Sequence, residues 1–207
     1  MNTQALQEIL NEISSAAPAP GGGSVAAIAG ANGAALLAMV CRLTIGKKKY
    51  EAVAGEMEKA LTQADLLQNR LASLVETDTK AFEQVMAAMK LPKETPEQIE
   101  KRRTEIQKAT HYATQVPLET MRACMEGMEL AQPVVQMGNT NALSDGGVAV
   151  LMLEAGMQGA NLNVMINLQG IEDEEFKASC IKETSAILEK AAERKKQILE
   201  DVNSRLK

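Results

Sequence analysis

Residues 24–46, SVAAIAGANGAALLAMVCRLTIG, are small and apolar almost throughout, and they limit what this chain can become. Their spacing is helical, and a helix apolar nearly all round belongs inside a bundle. Ala26, Gly30, Ala34 and Ala38 stand four apart and form a bare ridge, with Ala27, Ala31 and Ala35 along the strip beside it. A face this small admits another backbone at close range. Residues 148–164 repeat the pattern with Ala155, Gly156, Gly159 and Ala160. Glycine costs about 1 kcal/mol relative to alanine in a helix interior, so glycines inside both segments call for a close contact. Two readings are open: tight packing within one chain, or a helical dimer interface.

Apolar residues recur at helical spacing elsewhere too, with no clean alternation. The pattern predicts helices near 3–14, 24–46, 51–89, from Thr95 to about 127, 145–167 and 172–205, with a short segment around 129–137. Thr95, Pro96 and Gln98 form a capping-box start, and Pro117 predicts a kink. The chain has 207 residues but only two Phe, two Tyr and no Trp, which disfavours sheets. These features predict one all-α domain over 1–207, a helical bundle with long antiparallel helices that forms homodimers.

Cys41, Cys124 and Cys180 are odd in number and form no C-x-x-C pair, so they read as reduced thiols of a cytoplasmic protein. The start, MNTQALQEILNEI, lacks the pattern of a secretory leader. Asn32, Arg42 and the many alanines make 24–46 a poor membrane span. A net charge of −5 argues against nucleic acid as a partner. His111 has no ligand-like neighbours in sequence, and no metal is assigned.

Some residues ask for more than packing. In PAPGGGS, Gly21, Gly22 and Gly23 free the backbone to turn and expose amides, and Ser24 is placed to cap the helix behind. The turn is either a plain tight turn or a cradle for an anion or polar heterocycle. Lys47 and Lys48, in GKKKYE, are either a solvated helix end or a counter-charge for a ligand's acidic tail. Asp78 interrupts the apolar stripe of the 51–89 helix (67, 71, 74, 78, 82, 85), so it is either paired with a basic residue or at the edge of a cavity. Burial would raise its pKa and suit it to acid–base work. Asp145, in NALSDGGVA, either caps a helix or joins Asn139, Asn141 and Ser144 in a polar site. Asn161, Asn163 and Asn167 lie within an otherwise apolar helix and need partners.

Taken in order, PAPGGGSVAA, LTIGKKKYE, DTKAFEQVMAAMKLPK, QVPLE and NALSDGGVAVLMLEAGMQGANLNVMINL resemble the blocks of the cyclodeaminase/cyclohydrolase family of folate enzymes. The resemblance runs from about 5 to 205. It implies an all-helical homodimer with a folate site near the dimer interface, and neither metal nor redox cofactor. It places Gly21, Gly22, Gly23 and Ser24 by the pterin or one-carbon unit. Lys47, Lys48, Tyr50 and Glu51 would lie at the pocket, with Asn163 a polar contact and Asp78 and Asp145 the candidate catalytic carboxylates. Where the family often carries a larger residue, this chain has Gly146, which implies a looser site there. The implied reaction is hydrolysis of 5,10-methenyltetrahydrofolate, with cyclodeamination of 5-formiminotetrahydrofolate as the alternative. A non-enzymatic helical assembly module is the rival from outside the family.

Overall fold

The structure, a computed structural model, describes residues 3–206. Six helices follow one another: α1 (Thr3–Ile13), α2 (Gly22–Thr44), α3 (Ala54–Met89), α4 (Pro96–Met137), α5 (Leu143–Leu168) and α6 (Glu174–Arg205). Two 3-10 turns, Lys48–Val53 and Thr140–Ala142, precede α3 and α5, and there is no strand among the described residues. α2 to α5 form an up-down-up-down bundle in which each helix packs on the next and α5 returns to α2. α6 lies outside, along α4 and α5.

The small-residue helices are the closest neighbours. A Cβ added at Gly156 of α5 would come 2.7 Å from the Ala26 carbonyl oxygen and 2.9 Å from the Gly30 nitrogen, both backbone atoms of α2. At Gly33 it would meet Leu153 Cγ at 2.7 Å and the Ala149 carbonyl oxygen at 2.9 Å. The two backbones therefore touch where the glycines lie, so packing within one chain accounts for them. α2 is also long and apolar enough to cross a membrane, yet 56% of its most apolar window is buried inside the bundle.

α4 departs from expectation. It does not end near 127 but continues to Met137, enclosing both Pro117 and Pro133. Pro117 has no N–H to give the Ala113 carbonyl, and the Asn167 side chain supplies it instead, Nδ2 donating to that oxygen at 2.8 Å. Asn167 thus repairs a helix. Asp173 caps α6 by accepting from the Phe176 N–H, and the Thr95–Gln98 capping box opens α4 as predicted. His111 stacks on Phe176 with centroids 4.3 Å apart, tying α4 to α6.

Candidate active site

The sequence-selected residues fall into two groups at opposite ends of the antiparallel α2–α5 pair. Gly21–Ser24, Asp78 and Asn163 lie at the end where α2 begins. Lys47, Lys48, Tyr50, Glu51 and Asp145 lie where it ends. Helical rise puts about 32 Å between Gly23 and Thr44, and about 27 Å between Asn163 and Asp145.

At the first end the glycines do not form a loop. α2 starts at Gly22, with Gly21 at the cap position and no side-chain cap bond. Ser24, read from sequence as the cap, instead lies inside the first turn and is fully buried. Its hydroxyl donates to Asp78 Oδ2 at 2.9 Å, with Thr79 Oγ1 3.3 Å away. The Ser24 backbone amide also bonds the Asp78 carboxylate, so a carboxylate from α3 caps α2 across the helix interface. Gly23 makes room for it: a Cβ there would come within 2.7 Å of Asp78 Cγ. Beside them, Asn163 donates to the Gly159 carbonyl at 2.9 Å, and its amide lies against Gly22.

Sequence left Asp78 between a salt bridge and a cavity edge. No lysine or arginine among the described residues pairs with it. Burial pushes its pKa above the ordinary carboxylate value, and the two Ser24 hydrogen bonds offset only part of that rise. The result is a half-buried carboxyl group, packed on the Gly23 backbone, whose proton is held more tightly than usual.

At the other end, α2 stops at Thr44, before the lysines. Gly46 turns the chain at φ +78°, a region that side chains rarely adopt, and Lys48 opens the following 3-10 turn. Lys47, Lys48, Lys49 and Glu51 are exposed. Tyr50 is pinned: its hydroxyl accepts the Thr140 N–H at 3.0 Å and lies 3.2 Å from Thr140 Oγ1, and Lys49 Nζ is 5.2 Å from its ring centre. The Thr140 hydrogen bonds lower its pKa to about 8.

Asn139, which sequence reasoning treated only as part of a polar loop, organises this end. Its side chain donates to the Leu43 carbonyl and its own N–H reaches Thr44 Oγ1, both at 2.9 Å, closing the last turn of α2. The clue was GNTN, whose glycine lies where a Cβ would come 2.8 Å from Val40 Cγ1. Asp145 is in the first turn of α5, half-buried, and makes no cap bond. Gly146 is not loosely surrounded, because a Cβ there would meet Val135 Cγ2 at 2.8 Å.

Comparison with known proteins agrees with the all-helical fold. The sequence profile of the formiminotransferase-cyclodeaminase family matches residues 5–186. A methenyltetrahydrofolate cyclohydrolase from Methylorubrum extorquens is 42% identical over 98% of both chains. The formimidoyltransferase-cyclodeaminase of Sus scrofa is 36% identical over 97% of this chain, which spans 37% of that longer protein. The crystal structure of formiminotetrahydrofolate cyclodeaminase from Thermotoga maritima superimposes with a TM-score of 0.88 at 29% identity, covering 98% of this chain and 97% of that one. A bundle built on a glycine-opened helix and a matching profile over most of its length lead to one conclusion: the chain belongs to the formiminotransferase-cyclodeaminase family.

Proposed function

We propose that the protein hydrolyses 5,10-methenyltetrahydrofolate to 10-formyltetrahydrofolate, with Asp78 as its acid–base group. The observation that carries this is the Asp78 carboxyl on the Gly23 backbone, without a cationic partner and with a raised proton affinity. The substrate is a cation delocalised over N5, the bridging carbon and N10. Asp78 takes a proton from water as its oxygen adds to that carbon. The N5–carbon bond then breaks, Asp78 returns its proton to N5, and the hydroxyl proton leaves to solvent as the formyl carbonyl forms. A carboxylate beside the site also favours the cationic substrate before water adds. The full-length match to a methenyltetrahydrofolate cyclohydrolase favours this reaction. The Thermotoga maritima neighbour supports the alternative, cyclodeamination of 5-formiminotetrahydrofolate with loss of ammonia.

The same reading includes a homodimer. α5 leaves Val148, Leu151, Leu162, Met165 and Ile166 exposed, Leu162 at 69% and Ile166 at 58%, and α2 leaves Val25 and Leu43 exposed. Apolar patches of this kind mark interfaces. A two-fold axis across the middle of α2 would bring each glycine end to its partner's lysine end, because symmetric antiparallel packing pairs opposite termini. Asp78, Gly22 and Asn163 of one subunit would then share a site with the Lys47–Glu51 turn and Asp145 of the other. Lys47 or Lys48 would meet the glutamate tail of the folate. The substrate needs no cofactor in this scheme, and the three free cysteines suit a reducing, cytoplasmic setting.

The test is loss of the near-ultraviolet absorbance of methenyltetrahydrofolate at slightly acidic pH, where spontaneous hydrolysis is slow. Protein-dependent decay supports the cyclohydrolase. Appearance of that absorbance from 5-formiminotetrahydrofolate alone makes the protein a cyclodeaminase, and silence with both leaves an assembly module. Mixing Asp78→Asn and Asp145→Asn proteins, each expected to turn over slowly, tests the shared site: subunit exchange should restore activity, and a strict monomer in light scattering would exclude it.

A further inference from the structure

α3 extends past the start of α2. Asp78 lies beside Gly23, and α3 runs on to Met89, about 16 Å further. Phe82 follows Asp78 by one turn, Met86 comes four residues later and Met89 three after that, so all share one face of the helix. Helical side chains lean toward their own N-terminus, which lays the Phe82 ring over the turn that carries Asp78 and Thr79. Phe82 and Met86 are half-buried, yet neither belongs to the hydrophobic core or packs against it, whereas neighbouring Val85 does. Phe82 stacks on no other ring among the described residues; their one ring pair is His111–Phe176. In a chain with two Phe, two Tyr and no Trp, an aromatic ring lies outside the core and without a ring partner, one turn from a half-buried carboxyl group.

Building on the folate reading above, we infer that Phe82 is a specificity-determining residue that stacks on the cationic methenyl-bearing ring of the substrate. The ring face carries negative quadrupolar charge and attracts a delocalised cation. Asp78 sits at the edge of the same shelf, where water adds to the bridging carbon. Carboxylate and ring together hold the cation more tightly than uncharged tetrahydrofolate. Met86 and Met89 continue the shelf as adaptable apolar surface under the remainder of the ligand.

The chain has no tryptophan, so Phe82→Trp installs a single fluorescent reporter while keeping an aromatic face. Methenyltetrahydrofolate should quench it over the concentration range of KM, more strongly than tetrahydrofolate, with Phe176→Trp as the control for absorption by the ligand. Phe82→Leu should raise KM for methenyltetrahydrofolate about tenfold, change kcat less, and leave the melting temperature and tetrahydrofolate affinity nearly unmoved. An unchanged KM in Phe82→Leu overturns the inference, as does a lowered melting temperature without a KM change, which would make the ring a packing anchor. If the wild-type protein turns over neither folate, the proposed reaction fails, and the Phe82→Trp titration still decides the stacking: cation-selective quenching upholds it and equal quenching in the control overturns it.

Discussion

The two ends of α2 solve opposite electrostatic problems. At its start, a carboxylate is drawn out of water onto helix amides and a serine hydroxyl, with no cation nearby, and its proton affinity rises. At its end, three lysines stay in water and the one polar ring among them, Tyr50, is clamped by the Thr140 hydrogen bonds and shifts the other way. A group that must exchange a proton with substrate gains from desolvation. A group that only offers counter-charge keeps its charge best in water.

The largest test of this contrast is Asp78→Asn. It should cut turnover about 10²- to 10⁴-fold while the helical circular dichroism signal stays unchanged. The sign for stability is also fixed. A carboxyl whose pKa is raised on folding contributes stability below the unfolded pKa and loses it as pH rises through the folded one. Chemical denaturation at pH 4 and pH 7 should therefore show wild type losing ground to Asp78→Asn at the higher pH. A full-activity variant would remove Asp78 from the chemistry.

Next come the glycines, which look alike in sequence. Gly156→Ala drives a methyl group into the α2 backbone and should cost about 1–3 kcal/mol. Gly22→Ala faces only the Asn163 amide at 3.4 Å, an ordinary contact, and should change stability little. Urea midpoints decide between them, and equal costs would mean that α2 and α5 are not as close as described. At the lysine end, Lys47→Ala/Lys48→Ala should raise KM a few-fold without affecting kcat, an effect that shrinks as salt is added. Unchanged KM would assign these lysines to solvent.

The smallest effect is spectroscopic. Tyrosinate absorbance should show a step near pH 8 that disappears in Tyr50→Phe. Because this pKa is lowered on folding, the ionised phenol favours the folded state as pH rises from about 8 toward 10. Absence of the early step would mean the Thr140 clamp is open in solution.

Much of this was legible in the sequence, but unevenly. Asp78 stood out because a charge broke a regular apolar stripe, yet its partner did not: Ser24 is 54 residues away and looked like a local cap. Asn167 plainly needed a partner, but nothing in sequence links it to Ala113, whose carbonyl Pro117 leaves unpaired. The same link carries α4 through a proline that sequence rules treat as a break point. Lys47 and Asp145 were grouped with Asp78 by motif alone, and folding places them at the far end of the bundle.

The sequence by itself determined the helical class, the need of the two small-residue helices for a close contact and the residue types able to do the chemistry. These depend on periodicity and side-chain volume, which are local properties of a chain. Only the tertiary structure decided what each polar group faces: which carbonyl Asn167 repairs, which helix end Asp78 caps, and that the two clusters lie about 30 Å apart. Hydrogen bonds and desolvation depend on neighbours brought from distant positions, and helical periodicity carries no record of them.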